Sequence, residues 1–91
     1  MTNPTLTFSQ FQQFLAEVLG ADAEELLPER SFLDDLGIDS LRLVEMILAF
    51  ELELGVHVPT EAAWEMQTVG AAYTGYLKII EGNHREVEEA R

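Results

Sequence analysis

The run from Leu41 to Leu54, "LRLVEMILAFELEL", constrains this chain more than any other stretch. At 100° per residue, Leu43, Met46, Ile47, Phe50 and Leu54 share one helical face, a stripe of the kind that packs into a core. Leu41, Val44, Leu48 and Leu52 form a second row at three- and four-residue spacing on another side, with Arg42, Glu45, Glu51 and Glu53 scattered around it. A helix that is apolar nearly all round either sits centrally in a bundle or keeps one row for a partner. A chain of 91 residues cannot easily bury one helix on every side. The first row is therefore expected in the core and the second at a partner. The plainer alternative is that Val44 and Leu48 pack under a long loop and a short helix.

Periodicity elsewhere supplies the rest of a bundle. Met1 to Leu6 is polar, contains Pro4 and is expected to fray. Thr7 and Gln10 have capping-box spacing, and Phe8, Phe11, Phe14, Leu15, Val18 and Leu19 recur at helical intervals up to Gly20, a natural stop. Ala21 to Ile38 reads as a long ordered connection, anchored by Leu26, Leu27, Phe32, Leu33 and Leu36. Loops of this length are uncommon unless functional.

The second helix runs from Asp39 or Ser40 to Leu54, and Gly55 closes it. A short helical piece is expected near Thr60 to Met66, with Thr60 as its cap and Trp64 plugging the bundle. Thr68 opens a last helix through about Ile80, with Val69, Ala72, Tyr73, Tyr76, Leu77 and Ile80 on its apolar side. Gly82 is expected to end it, leaving "NHREVEEAR" as a charged, mobile tail. The fold class is all-α: a small four-helix bundle, three main helices plus one short helix, with a long first loop. The plan is a flexible start at 1–6, one domain at 7–81 and the tail at 82–91.

The chain has no cysteine, which excludes disulfides, thiolate zinc sites and cysteine nucleophiles and fits a cytoplasmic protein. Seventeen acids against five Lys and Arg give a net charge of −12, which would repel nucleic acid and anionic membranes and attract basic protein surfaces. The blander reading of that charge is solubility alone. The start, "MTNPTLTFSQ", lacks the basic and apolar regions of a signal peptide, and no apolar run approaches the ~18 residues of a membrane span.

Ser40 lies where the irregular connection meets the second helix. As a nucleophile it would need an adjacent base held by a third group. The chain has two histidines, His57 and His84, and "GIDSL" does not match a Gly-x-Ser-x-Gly elbow. A calcium loop from Asp34 to Glu45 fails because Leu36 and Ile38 offer no side-chain oxygen and Asp39 stands where a glycine must turn, so no metal site is expected. Two readings remain. Asp39 or Ser40 is a plain helix cap, worth about 1 kcal/mol. Alternatively, Ser40 is an attachment point, where a phosphate ester would lie at the positive end of the helix dipole. Another enzyme would do the activation, so no internal base is needed.

The stretch "DDLGIDSLRLVEMILAFE", centred on Leu36-Gly37-Ile38-Asp39-Ser40-Leu41, resembles the prosthetic-group segment of acyl carrier proteins. The tripeptide Asp-Ser-Leu alone is a weak signal. With the four-helix layout, the long first loop, the acidic charge and Glu45 one turn on, the resemblance extends from about Phe8 to Ile80. It implies that Ser40, flanked by Asp39 and Leu41, receives 4′-phosphopantetheine from coenzyme A through a phosphopantetheinyl transferase using Mg²⁺. It also implies a non-catalytic, monomeric carrier that holds an acyl thioester. The carrier would present this cargo to a ligase, acyltransferase or ketosynthase across a surface of Leu41, Arg42, Val44, Glu45 and Leu48.

Arg42 and Leu52 replace acids frequent in that family, which favours polyketide-like or other specialised acyl assembly over primary fatty-acid synthesis. Aminoacyl or peptidyl carriage is the near alternative; Gly37-Ile38-Asp39, in place of a Gly-Gly pair, argues mildly against it. From a different class, the rival is an unmodified helical interaction module in which Ser40 merely caps.

Overall fold

The computed structural model describes the backbone of residues 5–89 and the side chains of residues 5–81. Four α-helices follow in order: α1 Phe8–Leu19, α2 Ser40–Glu53, α3 Thr60–Glu65 and α4 Val69–Glu89, with a 3₁₀ turn at Ala23–Glu25. The all-α bundle expected from periodicity is the observed fold.

Helix α1 begins as its spacing dictates. Thr7 Oγ1 accepts from Gln10 N, and Gln10 Oε1 accepts from Thr7 N, so both halves of the capping box form. Gly20 ends the helix at φ 68°, a left-handed conformation open to glycine at little cost. Phe11, Leu15 and Leu19 are its buried stripe. Phe11 is the hub of an aromatic cluster: its ring lies 5.6 Å from Phe50 on α2, and 5.2 and 5.4 Å from Tyr73 and Tyr76 on α4. Tilted and offset pairs of this kind add roughly 0.5–1.5 kcal/mol each to simple area burial.

Leu6 does not fray. Its backbone N–H donates to the Tyr76 hydroxyl (3.0 Å), and its carbonyl accepts from the Tyr73 hydroxyl (2.8 Å). Both tyrosines have polar tips that need partners, and the segment before α1 supplies them. Residues 1–4 of the expected flexible start lie outside the described residues.

The long connection is ordered, as its anchors require. Leu26 and Phe32 are fully buried and Leu36 is half-buried, whereas Leu27 and Leu33, also expected as anchors, face solvent. The backbone is laced to the start of α4: Phe32 N donates to Gln67 O (3.0 Å), Val69 N to Arg30 O (3.0 Å) and Gly70 N to Pro28 O (2.9 Å). Gln12 of α1 adds a bond from Nε2 to Leu26 O at 2.8 Å. These bonds satisfy backbone groups that a buried loop would otherwise leave unpaired.

Two helix limits differ from expectation. Pro59, not Thr60, is the cap residue of α3, with no side-chain bond; proline's fixed φ already suits the start. Thr68 does cap α4, its Oγ1 accepting from Ala71 N at 3.0 Å. Helix α4 passes through Gly82 to Glu89 instead of stopping. A glycine inside a helix costs about 1 kcal/mol relative to alanine, and the arginine and glutamates that follow favour continuation. Of the expected tail, residues 90–91 lie outside the described residues.

Trp64 is also corrected: it is 73% exposed and plugs nothing. The neighbouring Ala62 and Ala63, together with Met66, pack against the core, so the larger ring is turned outward. Leu77, expected on the inner side of α4, is partly exposed.

If the loop belongs to the core, Phe32→Ala should destabilise the chain by about 3–5 kcal/mol, and Leu33→Ala by less than about 0.5 kcal/mol. Urea unfolding of both variants measures this, and equal losses would contradict the assignment.

Candidate functional site

Ser31 starts the approach to the site. Its hydroxyl accepts from Asp34 N (2.8 Å) and Asp35 N (3.3 Å), while its own N–H donates to Asp35 Oδ2 (2.8 Å). This closed turn, the bond from Ile38 N to Phe32 O (2.8 Å) and a left-handed Gly37 (φ 66°) deliver the chain to Asp39.

Asp39 is the N-cap of α2. Its Oδ1 accepts from Arg42 N at 2.9 Å, and its carbonyl accepts the first intrahelical bond from Leu43 N at 3.1 Å. Ser40 is therefore the first helical residue and not the cap. Its side chain is exposed and makes no hydrogen bond among the described residues. Asp39 and Ser40 were interchangeable as caps on sequence; the geometry gives the cap to Asp39 and leaves the Ser40 hydroxyl unengaged. The first-turn N–H groups and the helix dipole make this a favourable place for a phosphate ester.

An open groove of about 600 Å³ runs from Ser40 between α2 and α3. Leu43, Val44, Ile47 and Leu48 form one wall, Ala63 and Trp64 the other, and Phe32 and Met66 the floor. The lining is mostly apolar. Trp64, Thr60 and Gln67 were not anticipated here, because groove position depends on how α3 is set against α2 rather than on spacing within either helix.

The expected partner row is on the surface. Leu41 is 68% and Leu52 83% exposed, and Val44 and Leu48 are about half exposed. The core row behaves as expected too: Met46 and Phe50 are buried and Leu43, Ile47 and Leu54 half-buried. Val44 and Leu48 line the groove beside the loop and α3 and stay about half exposed, so the alternative that they pack under these elements holds only in part. Glu45 is exposed beside them. Arg42, expected on the same surface, is exposed there and also contacts its own chain: Nη1 donates to Leu19 O at 2.9 Å, and Nε lies 3.5 Å from Glu45 Oε1.

Among the described residues no cluster of His, Asp and Glu could hold a metal ion, and no helix is long and apolar enough to cross a membrane. His57 pairs with Glu51 (3.4 Å) at the far end of α2, whose carboxylate also accepts from Val58 N (3.0 Å).

Residues 9–74 match the family described as "Phosphopantetheine attachment site". The chain belongs to that family. The solution structure of oxytetracycline acyl carrier protein is similar over 89% of this chain and 88% of that one, with a TM-score of 0.70 and 26% identity. The fold is that of an acyl carrier protein, and 4′-phosphopantetheine is the covalent group the family carries.

The capping geometry makes a stability prediction for the carrier. Asp39→Ala should lose about 1 kcal/mol, whereas Ser40→Ala should change stability by less than about 0.5 kcal/mol. Chemical denaturation of the two variants distinguishes them; the reverse order would return the cap to Ser40.

Proposed function

We propose that Ser40 is the attachment residue for 4′-phosphopantetheine and that the carrier serves polyketide-like or other specialised acyl assembly. One observation carries the first part: Asp39 caps α2, so the adjacent Ser40 hydroxyl is exposed, unbonded and fixed on the first turn. The other two serines are less suited. Ser31 is committed to its turn, and Ser9 lies on α1 and does not line the groove beside Ser40.

The residues fit the group. When bound, the arm supplies a terminal thiol that holds an acyl chain as a thioester. Around it, Asp39 fixes the helix start, the free N–H groups and dipole of α2 favour the phosphate, and the apolar groove beside Ser40 offers a surface for attached cargo. A flexible tether raises the local concentration of cargo at each docked enzyme. The transferase and the acyl-loading and acyl-processing enzymes dock on the row Leu41, Val44, Glu45 and Leu48, where a small mixed surface allows brief contacts. The carrier itself does no chemistry.

Specialised assembly is supported by the likeness to oxytetracycline acyl carrier protein and by Leu52 and Arg42 on α2, which make this helix less acidic. In the interaction-module reading Ser40 merely caps and the second apolar row binds a partner helix; the cap at Asp39 supports the carrier reading instead.

Incubation with coenzyme A, Mg²⁺ and a broad-specificity phosphopantetheinyl transferase should add one phosphopantetheine to the wild type and none to Ser40→Ala, read by intact-protein mass. No gain beside a control carrier that is modified would reject the assignment. Leu48→Asp, in the exposed row, should raise the KM of this modification without unfolding the bundle.

A further inference from the structure

Arg42 is the one basic residue of α2, and it stands in the first turn. A cation there sits at the positive end of its own helix dipole, an unfavourable place. Its contacts show what compensates. Nη1 donates to the carbonyl of Leu19, the last residue of α1. Helix α1 has no basic residue in its own last turn, so Arg42 supplies from another element the cation that this C-terminus lacks. The guanidinium packs over the end of α1: a Cβ built at Gly20 would lie 3.8 Å from Nη1, ordinary contact distance. At the same time the backbone N–H of Arg42 is the group that the Asp39 cap binds, at 2.9 Å. One residue thus joins the cap of α2 to the end of α1.

The position of this link matters. The ring contacts between α1 and α2 are made by Phe11 and Phe14 on Phe50. Phe50 lies ten residues along α2 from Ser40, about 15 Å at the rise of an α-helix. Among the described residues, the Arg42–Leu19 bond is the polar tie between α1 and α2 at the Ser40 end.

We infer that Arg42 is a positioning residue: its guanidinium, bonded to the Leu19 carbonyl, ties the first turn of α2 to α1 and so fixes where Ser40 presents its hydroxyl to the transferase. This rests on the reading of Ser40 as the attachment residue. In the transfer, Ser40 Oγ bonds to the phosphorus that bears the pantetheine of coenzyme A. The bond from that phosphorus to adenosine 3′,5′-bisphosphate breaks, its electron pair leaves with the nucleotide, and the hydroxyl proton passes to a base on the transferase. Displacement of this kind is sensitive to misplacement of the attacking oxygen by an ångström or less.

The test is steady-state kinetics of phosphopantetheine transfer to the full chain, wild type, Arg42→Met and Arg42→Lys. Arg42→Met keeps the apolar stem and removes the donor, so lost packing does not confuse the result. It should lower kcat about tenfold with KM for the carrier within about twofold. Arg42→Lys, which returns a donor to the Leu19 carbonyl, should recover most of kcat. In parallel, amide hydrogen exchange at Arg42 and Leu43 should speed up in Arg42→Met while exchange at Phe50 does not. A raised KM with unchanged kcat would make Arg42 a contact of the partner enzyme and overturn the proposal. So would an unchanged kcat, or a loss that lysine fails to restore. A wild-type chain that gains no mass beside a modified control would remove the reading of Ser40 itself, a failure visible before any variant is measured.

Discussion

The bond from Arg42 N to the Asp39 carboxylate is the interaction on which the site depends. A helix start leaves several N–H groups without intrahelical partners, and a side-chain oxygen next to them is quickly recruited. Were Ser40 the residue whose oxygen accepts these bonds, its hydroxyl would be bent toward its own backbone. With Asp39 in the role, the serine moves one place into the helix and keeps its oxygen outward. The preceding turn, closed on Ser31 and released by Gly37, brings Asp39 to that position.

A second constraint is size. A 91-residue chain has enough apolar residues for one core, and α2 carries more than that core takes. The surplus, Leu41, Val44, Leu48 and Leu52, runs from beside Ser40 along the exposed side of the helix. An apolar row with an acid, Glu45, within it can be gripped and released by several enzymes in turn.

Much of this was legible in the sequence because it depends on spacing within a helix. The capping box at Thr7 and Gln10, the core stripe through Phe50, the stop at Gly20 and the outward second row of α2 all follow from a 3.6-residue period and local chemistry. What was not legible depends on distant neighbours. No local rule says that Tyr73 and Tyr76 will bind the two backbone groups of Leu6, or that Arg42 will reach the last carbonyl of α1. Asp39 and Ser40 are both good caps, and their competition is decided by the path of the loop. Trp64 was misplaced for a related reason: its size suggests burial, but a six-residue helix has room for one inner face, and the small alanines occupy it.

On the proposed reading, Ser40 stands ready on a preformed helix start, and loading alters its surroundings rather than the fold. Comparison of ¹H–¹⁵N spectra of the unmodified and phosphopantetheine-bearing carrier tests this most directly. Loading should shift amides centred on Ile38 to Leu41 and along the groove to Trp64, with the amides around Phe11 and Tyr76 unmoved. Shifts centred on Ser9 or Ser31, or spread through the aromatic core, would contradict it.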